Sequence, residues 1–315
     1  MIGATRRMAY AQGIGTLAAG VALGVLATST YFRLWEGGIS KNESALFRFT
    51  PDLSTQSIRQ LDPNFAVSYD RRTRIPLWTI EHLTRDTITM GNNVDRGRAL
   101  FREDEQIHPF FRATLQDYRG SGFDRGHMIP SANHRHSQES MNRTFLLSNI
   151  APQVGKGFNR DKWAQLETYV RALVKHYPGG LWILTGPLYL PRLDPIDNKL
   201  YVKYQVIGPN QVAVPTHFFK ILIAQQKSGQ LDIYSYLLPN EPIDKTLSLD
   251  EFLVAPELIE QNAGFLIITD KIHKNQIHAI NKPWIDFKYD LPVRSQQQQK
   301  SFPLPSSTPS TSSAA

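Results

Sequence analysis

The chain has 315 residues, 41% of them hydrophobic and 20% charged, with 35 Lys+Arg against 28 Asp+Glu and a formal net charge of +7. These globular proportions exclude a wholly disordered chain and a polytopic membrane protein. The absence of Cys excludes disulfide scaffolds, Cys-ligated zinc, iron–sulfur clusters and any thiol nucleophile, while the positive balance fits a polyanionic partner and many basic enzymes alike.

No acidic residue precedes Glu36, and Arg6 and Arg7 lead into an apolar, small-residue run from Ile14 to Phe32. That run is about long enough to span a bilayer. Its Gly, Ala and hydroxyl content (Thr16, Thr28, Ser29, Thr30) points to a mitochondrial leader over residues 1–43, with the capacity to anchor in the inner membrane, rather than to a secretory signal. Residues 44–293 are expected to form one α+β domain. Residues 294–315 are Gln-, Ser-, Thr- and Pro-rich and predict a disordered tail, because they offer little to bury.

Within the body, β-rich runs recur at Phe65–Tyr69, Leu77–His82, Thr144–Ile150, Leu181–Thr185, Tyr201–Ile207, Val212–Pro215, Phe218–Ala224 and Ile233–Leu238. Polar or Gly/Pro-containing segments separate them, Gly208-Pro209-Asn210 among these. A helix is predicted over Asp161–His176, where Trp163, Leu166, Val170, Leu173 and Val174 form an apolar stripe. Asn159 stands at its start as a capping residue, and Pro178-Gly179-Gly180 ends it. Ser248 and Glu251 make a capping-box pattern that predicts a second helix from there.

The segment richest in chemistry runs from Ser121 to Arg171. It presents a polar turn with Asp124-Arg125-Gly126-His127, a short strand ending near Asn149, a Gly-containing loop, and Asn159 ahead of the helix. Phosphodiester hydrolysis needs a base for water, positive charge on the phosphate oxygens, and help for the leaving alkoxide. His127 is a candidate base, since imidazole titrates near working pH. A hard divalent ion suits the charge, and Mg²⁺ needs few protein ligands, so the Asn159 carbonyl can suffice. Glu167 lies about two helical turns on and reaches the same face, where it can hold the water around the ion. Arg125 and Arg171 are candidates to grip phosphate.

Each residue also has an ordinary structural reading. His127 alone is a turn residue, Asn159 a helix cap, Glu167 with Arg171 a solvated pair, and Asn149 a turn former. Arg125 can pair with Asp124. The tripeptide is weak by itself, because Asp95-Arg96-Gly97 repeats it with Arg98 in place of His. His134 and His136 read as loop histidines, His217 as a core or near-core one, and Arg71, Arg72 and Arg74 as a solvated turn.

Taken together, the segment resembles the DNA/RNA non-specific endonuclease family, whose signature is DRGH, and looks most like its mitochondrial endonuclease G branch. The likeness extends through Phe101–His127, Phe145–Glu167, Leu184–Pro191, Val202–Lys220 and Leu237–Asp244, and covers roughly Tyr69 to Leu266. It implies a ββα-metal nuclease fold with central antiparallel sheets flanked by helices, and cleavage of DNA and RNA with Mg²⁺ or Mn²⁺ to 5′-phosphate products. By residue it implies His127 as general base, Asn159 as the metal ligand, Glu167 as the acid near the ion's water, Asn149 as an orienting group, and Arg125 and Arg171 on phosphate. One further arginine upstream is expected, among Arg74, Arg112 and Arg119. The likeness also implies a homodimer, a place in the mitochondrial intermembrane space or on the inner membrane, and relocation to the nucleus. The rivals are a catalytically inactive nucleic-acid-binding scaffold on the same fold and a phosphatase of small phosphoesters.

Overall fold

The computed structural model describes residues 58–281 except 270, 271 and 273; the leader and tail expected at the two ends lie outside the described residues. Seven strands form the central sheet: β1 (Ile58–Asp62), β2 (Phe65–Asp70), β3 (Ile75–Leu83), β6 (Leu181–Leu188), β7 (His217–Gln225), β8 (Leu231–Pro239) and β9 (Ile277–Ile280), in that order across the sheet. Every neighbouring pair is antiparallel except β8 with β9, which is parallel. The sheet is thus mixed at its last edge rather than wholly antiparallel. A separate hairpin of β4 (Asp124–His127) and β5 (Ile150–Gln153) carries the signature segment. Among the described residues, three α-helices of seven or more residues stand beside these strands: α1 (Gln138–Thr144), α2 (Ala164–Leu173) and α3 (Pro256–Ala263). Among the described residues, no helix is long and apolar enough to cross a membrane.

The central strands read as continuous apolar runs because both sheet faces are covered. One face gathers Trp78, Ile80, Trp182, Leu184, Phe219, Ile221 and Ile233 with Ile259 of α3 and Phe265. The alternate residues face the other way, under α2, whose buried Leu166, Val170 and Leu173 keep the predicted stripe. There Phe218 packs against Phe158 and Trp163, with ring centroids 5.7 and 5.8 Å away. Burying side chains of this size is the main favourable term in folding such a domain.

Several predicted elements differ from the structure. Thr144–Ile150 is a helix end, a 3₁₀ turn over Leu147–Asn149 and only then a strand from Ile150. Apolar content decided that prediction, but Phe145 and Leu147 are buried through a turn instead. Tyr201–Ile207 splits into two short pieces. The helix expected at Ser248 is a 3₁₀ turn, with its capping box present, and α3 begins later at Pro256. Asp124–His127, read as a turn, is a strand.

Candidate active site

The site is built by the hairpin, the chain leaving it, and α2. Register sets His127 opposite Ile150 and Asp124 opposite Gln153. Asn149 locks the end of the hairpin. Its Nδ2 donates to the Thr144 and Ile129 carbonyls (2.8 and 3.0 Å), and its Oδ1 accepts from the Ile129 N–H (3.0 Å). Its own carbonyl accepts from the Met128 N–H at 3.0 Å. Both amide hydrogens are therefore committed to main chain, and the residue is wholly buried. Asn149 thus fixes the end of the strand that presents His127.

The His127 imidazole sits between Phe101 and Phe145, with ring centroids 5.2 and 4.7 Å away, and its buried Nε2 has no hydrogen-bond partner. Burial lowers its pKa to about 3, helped by the Arg96 and Arg125 charges. The ring is accordingly neutral at neutral pH and holds a free lone pair.

Asn159 does not cap a helix. It lies inside a wide turn over Gly155–Trp163, with its backbone N–H on the Val154 carbonyl at 2.9 Å. The turn needs glycine at 157, which takes φ +87° and where a Cβ would lie 2.8 Å from Pro242 Cα. The Asn159 Nδ2 donates to Asp124 Oδ2 at 2.9 Å. Asp124 also accepts from Arg160 Nε (2.7 Å) and Nη2, and these contacts, Arg160 first, hold its carboxyl below the usual range. With Nδ2 tied down, Oδ1 is the atom Asn159 has left to offer. Arg125 does not pair with Asp124; its guanidinium lies 4.3 Å over the Phe101 ring.

Glu167, on the first turn of α2, is pushed up to about 7 by burial, against the opposing pull of Lys220 and Arg171. His127, Arg125, Asn159 and Glu167 line one cleft of about 740 Å³, with Asp124 and Arg160 on its wall. Arg171 does not line it. Its Nη1 donates to Asn133 Oδ1 (3.2 Å) and its Nη2 to Thr168 Oγ1 (2.9 Å). In this arrangement its fork stands behind the cleft, on Asn133 and Thr168.

Of the three upstream arginines, Arg119 lines the cleft. Arg74 instead donates to the Arg72 and Phe110 carbonyls, and Arg112 pairs with Glu103 at 3.4 Å. The cleft also contains Arg96, the middle of the second Asp-Arg-Gly tripeptide. Its guanidinium donates to Ser131 Oγ and lies 5.4 Å over the Phe145 ring. Nothing local in the sequence marks Arg96, because a long connection brings it to the site. His134 and His136 lie in the loop between the Ser131–Asn133 turn and α1, as expected, but both are held there by side-chain partners. His134 is wholly buried on Glu81 at 2.9 Å, and His136 shares Ser140 Oγ at 3.1 Å.

A family model for the DNA/RNA non-specific endonucleases matches residues 42–274. The chain belongs to the DNA/RNA non-specific endonuclease family. It is an enzyme of that family, a nuclease that hydrolyses nucleic acids. The protein named endonuclease G, mitochondrial, of Homo sapiens is 48% identical over 205 residues, which are 65% of this chain and 67% of that protein. The mitochondrial nuclease of Saccharomyces cerevisiae is 45% identical over 224 residues, 69% and 67% respectively. The EndoG structure solved in an EndoG/EndoGI complex superposes with a TM-score of 0.71 at 46% identity, covering 75% of this chain and 94% of that one. This likeness carries the expected ββα-metal nuclease architecture.

Proposed function

We propose that the cleft hydrolyses phosphodiester bonds in DNA and RNA by direct attack of water, with His127 as general base and Mg²⁺ or Mn²⁺ as the cofactor. One observation carries this reading: a neutral imidazole with an unpartnered Nε2 shares a cleft with an Asn whose amide hydrogen is held by a carboxylate. A buried polar atom left unsatisfied calls for a partner that arrives with substrate.

The donor set suits a hard, highly hydrated ion. Among the described residues no group of three or more His, Cys, Asp or Glu is placed to hold a metal, and the cleft offers amide and carboxyl oxygens instead. Mg²⁺ takes few protein ligands and keeps its waters; Asn159 Oδ1 would hold it, with Glu167 near those waters. When bound, the ion supplies positive charge for the crowded phosphate oxygens. His127 Nε2 takes the proton of the attacking water. Arg96, Arg119 and Arg125 orient the phosphate, and Glu167, pushed up to about 7, can carry a proton to the leaving oxygen. Because the nucleophile is water and not a ribose 2′-hydroxyl, both sugars are accepted; the P–O3′ bond breaks and the 3′-oxygen takes the proton from Glu167, leaving 5′-phosphate and 3′-hydroxyl ends.

The names of the relatives from Homo sapiens and Saccharomyces cerevisiae support a mitochondrial protein. The family resemblance supports a homodimer in the intermembrane space or on the inner membrane, held there through residues 1–43, with release to the nucleus. Nicking of plasmid DNA and of RNA, with and without EDTA, followed by end-group analysis, tests the chemistry. Metal-dependent 5′-phosphate ends on both polymers are expected. Ends bearing a 3′-phosphate, or equal turnover in EDTA, would contradict it, and turnover confined to a small phosphoester would favour the phosphatase rival.

A further inference from the structure

The sheet face beneath α2 carries a buried polar patch that the proposed reaction does not use. Cross-strand register aligns Thr79 of β3, Thr185 of β6 and Lys220 of β7 in one row, with Glu81 two residues along β3 on the same face. Each of the four is 1% exposed. Lys220 Nζ donates to Thr185 Oγ1 at 2.6 Å and lies 4.9 Å over the Trp163 ring.

Glu81 receives Asn133 Nδ2 at both carboxylate oxygens, 3.0 and 3.1 Å, and His134 Nε2 at 2.9 Å. The other end of the same amide, Asn133 Oδ1, accepts from Arg171. A continuous path of hydrogen bonds therefore runs from the middle of the sheet through Asn133 to the guanidinium, and Thr168 holds the second nitrogen of that fork. Arg171 stands four residues, about one helical turn, beyond Glu167 on α2, the spacing at which opposite charges on a helix attract each other. Replacing buried ionic groups by apolar ones is often neutral or stabilising, so packing alone gives no reason for this set. Through Arg171 the set reaches the stretch of α2 that carries Glu167, which lines the cleft.

We propose that Glu81, Asn133 and His134 are positioning residues that brace Arg171 behind Glu167 and so fix the carboxyl on the cleft side of α2. The brace rests on Glu167 being a working group of the cleft, and groups that orient a working residue typically matter by about 10- to 100-fold.

The test is a cycle of Asn133→Ala, Arg171→Ala and the double variant, measured in steady-state nicking. Asn133→Ala is expected to lower kcat by about 10- to 100-fold. KM, and nucleic-acid affinity measured in EDTA, should stay within about twofold, since the residue touches no substrate. The double variant should be no slower than Arg171→Ala beyond about twofold, the scatter of independent effects. A double variant whose loss is the product of the two singles overturns the proposal and leaves Asn133 as a weld for the Ser131–Asn133 turn. Should Asn133→Ala fail to fold, Thr168→Val at an exposed position removes the other anchor of the fork. A severalfold kcat loss that vanishes in the Arg171→Ala background supports the brace, and a wild-type rate overturns it. Glu167→Gln separates the two readings. If it keeps full turnover, the role given to Glu167 fails and the brace with it; if it is inactive while Asn133→Ala and Thr168→Val run at wild-type rates, the brace alone fails.

Discussion

Gly126 separates Arg125 from His127, and the structure gives it a steric rather than a conformational reason. It is not among the glycines with positive φ. A Cβ there would lie 2.1 Å from Gln153 Oε1, 2.2 Å from Cδ and 2.4 Å from Cγ. Three atoms of a wholly buried side chain, not merely its tip, would have to move. Overpacking of this kind costs about 1–3 kcal/mol. At roughly 2–4 °C per kcal/mol for a domain of this size, Gly126→Ala should melt about 2–12 °C lower. Nicking should fall as well, because β4 is displaced one residue before His127. Gln153 has no hydrogen-bond partner for either amide atom, so Gln153→Ala removes the obstacle without stranding a partner. The Gly126→Ala/Gln153→Ala double variant should therefore melt well above the sum of the two losses, a coupling of about 0.5–3 kcal/mol. Thermal and urea denaturation read all four proteins. A Gly126→Ala variant that melts within about 1 °C of wild type, or a double variant that is simply additive, would refute the steric reasoning.

Three further outcomes are expected. Asp124→Asn removes the carboxylate that orients Asn159 and should raise the metal concentration for half-maximal nicking by about 10- to 100-fold; an unchanged metal titration would detach Asp124 from the metal ligand. Arg96→Ala should reduce kcat/KM by roughly 10- to 100-fold, the worth of one charge-assisted hydrogen bond to phosphate, whereas Arg74→Ala and Arg112→Ala should stay near wild type, and the reverse ranking would misplace the upstream arginine. In metal-free protein, the His127 ring proton signal in NMR should not titrate between pH 8 and 5, because its pKa is lowered to about 3. The unfolded chain protonates this ring near its ordinary 6.5 while the folded one does not, so His127 withdraws stability as pH falls from about 6.5 towards 3 and has no such effect at pH 8; a midpoint near 6.5 would show the imidazole to be open to water.

How far the site was legible in the sequence follows from distance along the chain. His127, Asn159 and Glu167 lie within one ββα stretch, and local spacing with the family signature was enough to collect them. Leu166, Val170 and Leu173 likewise announced the buried face of α2. The misreadings are tertiary. Asn159 has the look of a helix cap, but its side chain is claimed by Asp124 and its backbone by Val154, five residues back. Glu167 and Arg171 read as a solvated i,i+4 pair, but Asn133, from a distant turn, holds the Arg171 guanidinium. Asp95-Arg96-Gly97 served only to show how weak the tripeptide is by itself, although the fold brings Arg96 to the cleft beside Ser131. His134 was read as a loop histidine and does lie in a loop, but nothing near it in sequence announced its contact with Glu81 on the central sheet, 53 residues away. A buried hydrogen-bonded pair across that separation leaves no periodic trace for sequence patterning to detect.

The most direct trial of the mechanism is His127→Ala, with nicking rate and nucleic-acid affinity measured on the same preparation at saturating Mg²⁺. Loss of a positioned base should slow turnover by about 10²–10⁴-fold while affinity, carried by the arginines of the cleft, stays close to wild type. A variant that cuts at near wild-type speed, or one that stops cutting only because it no longer binds, would contradict the account.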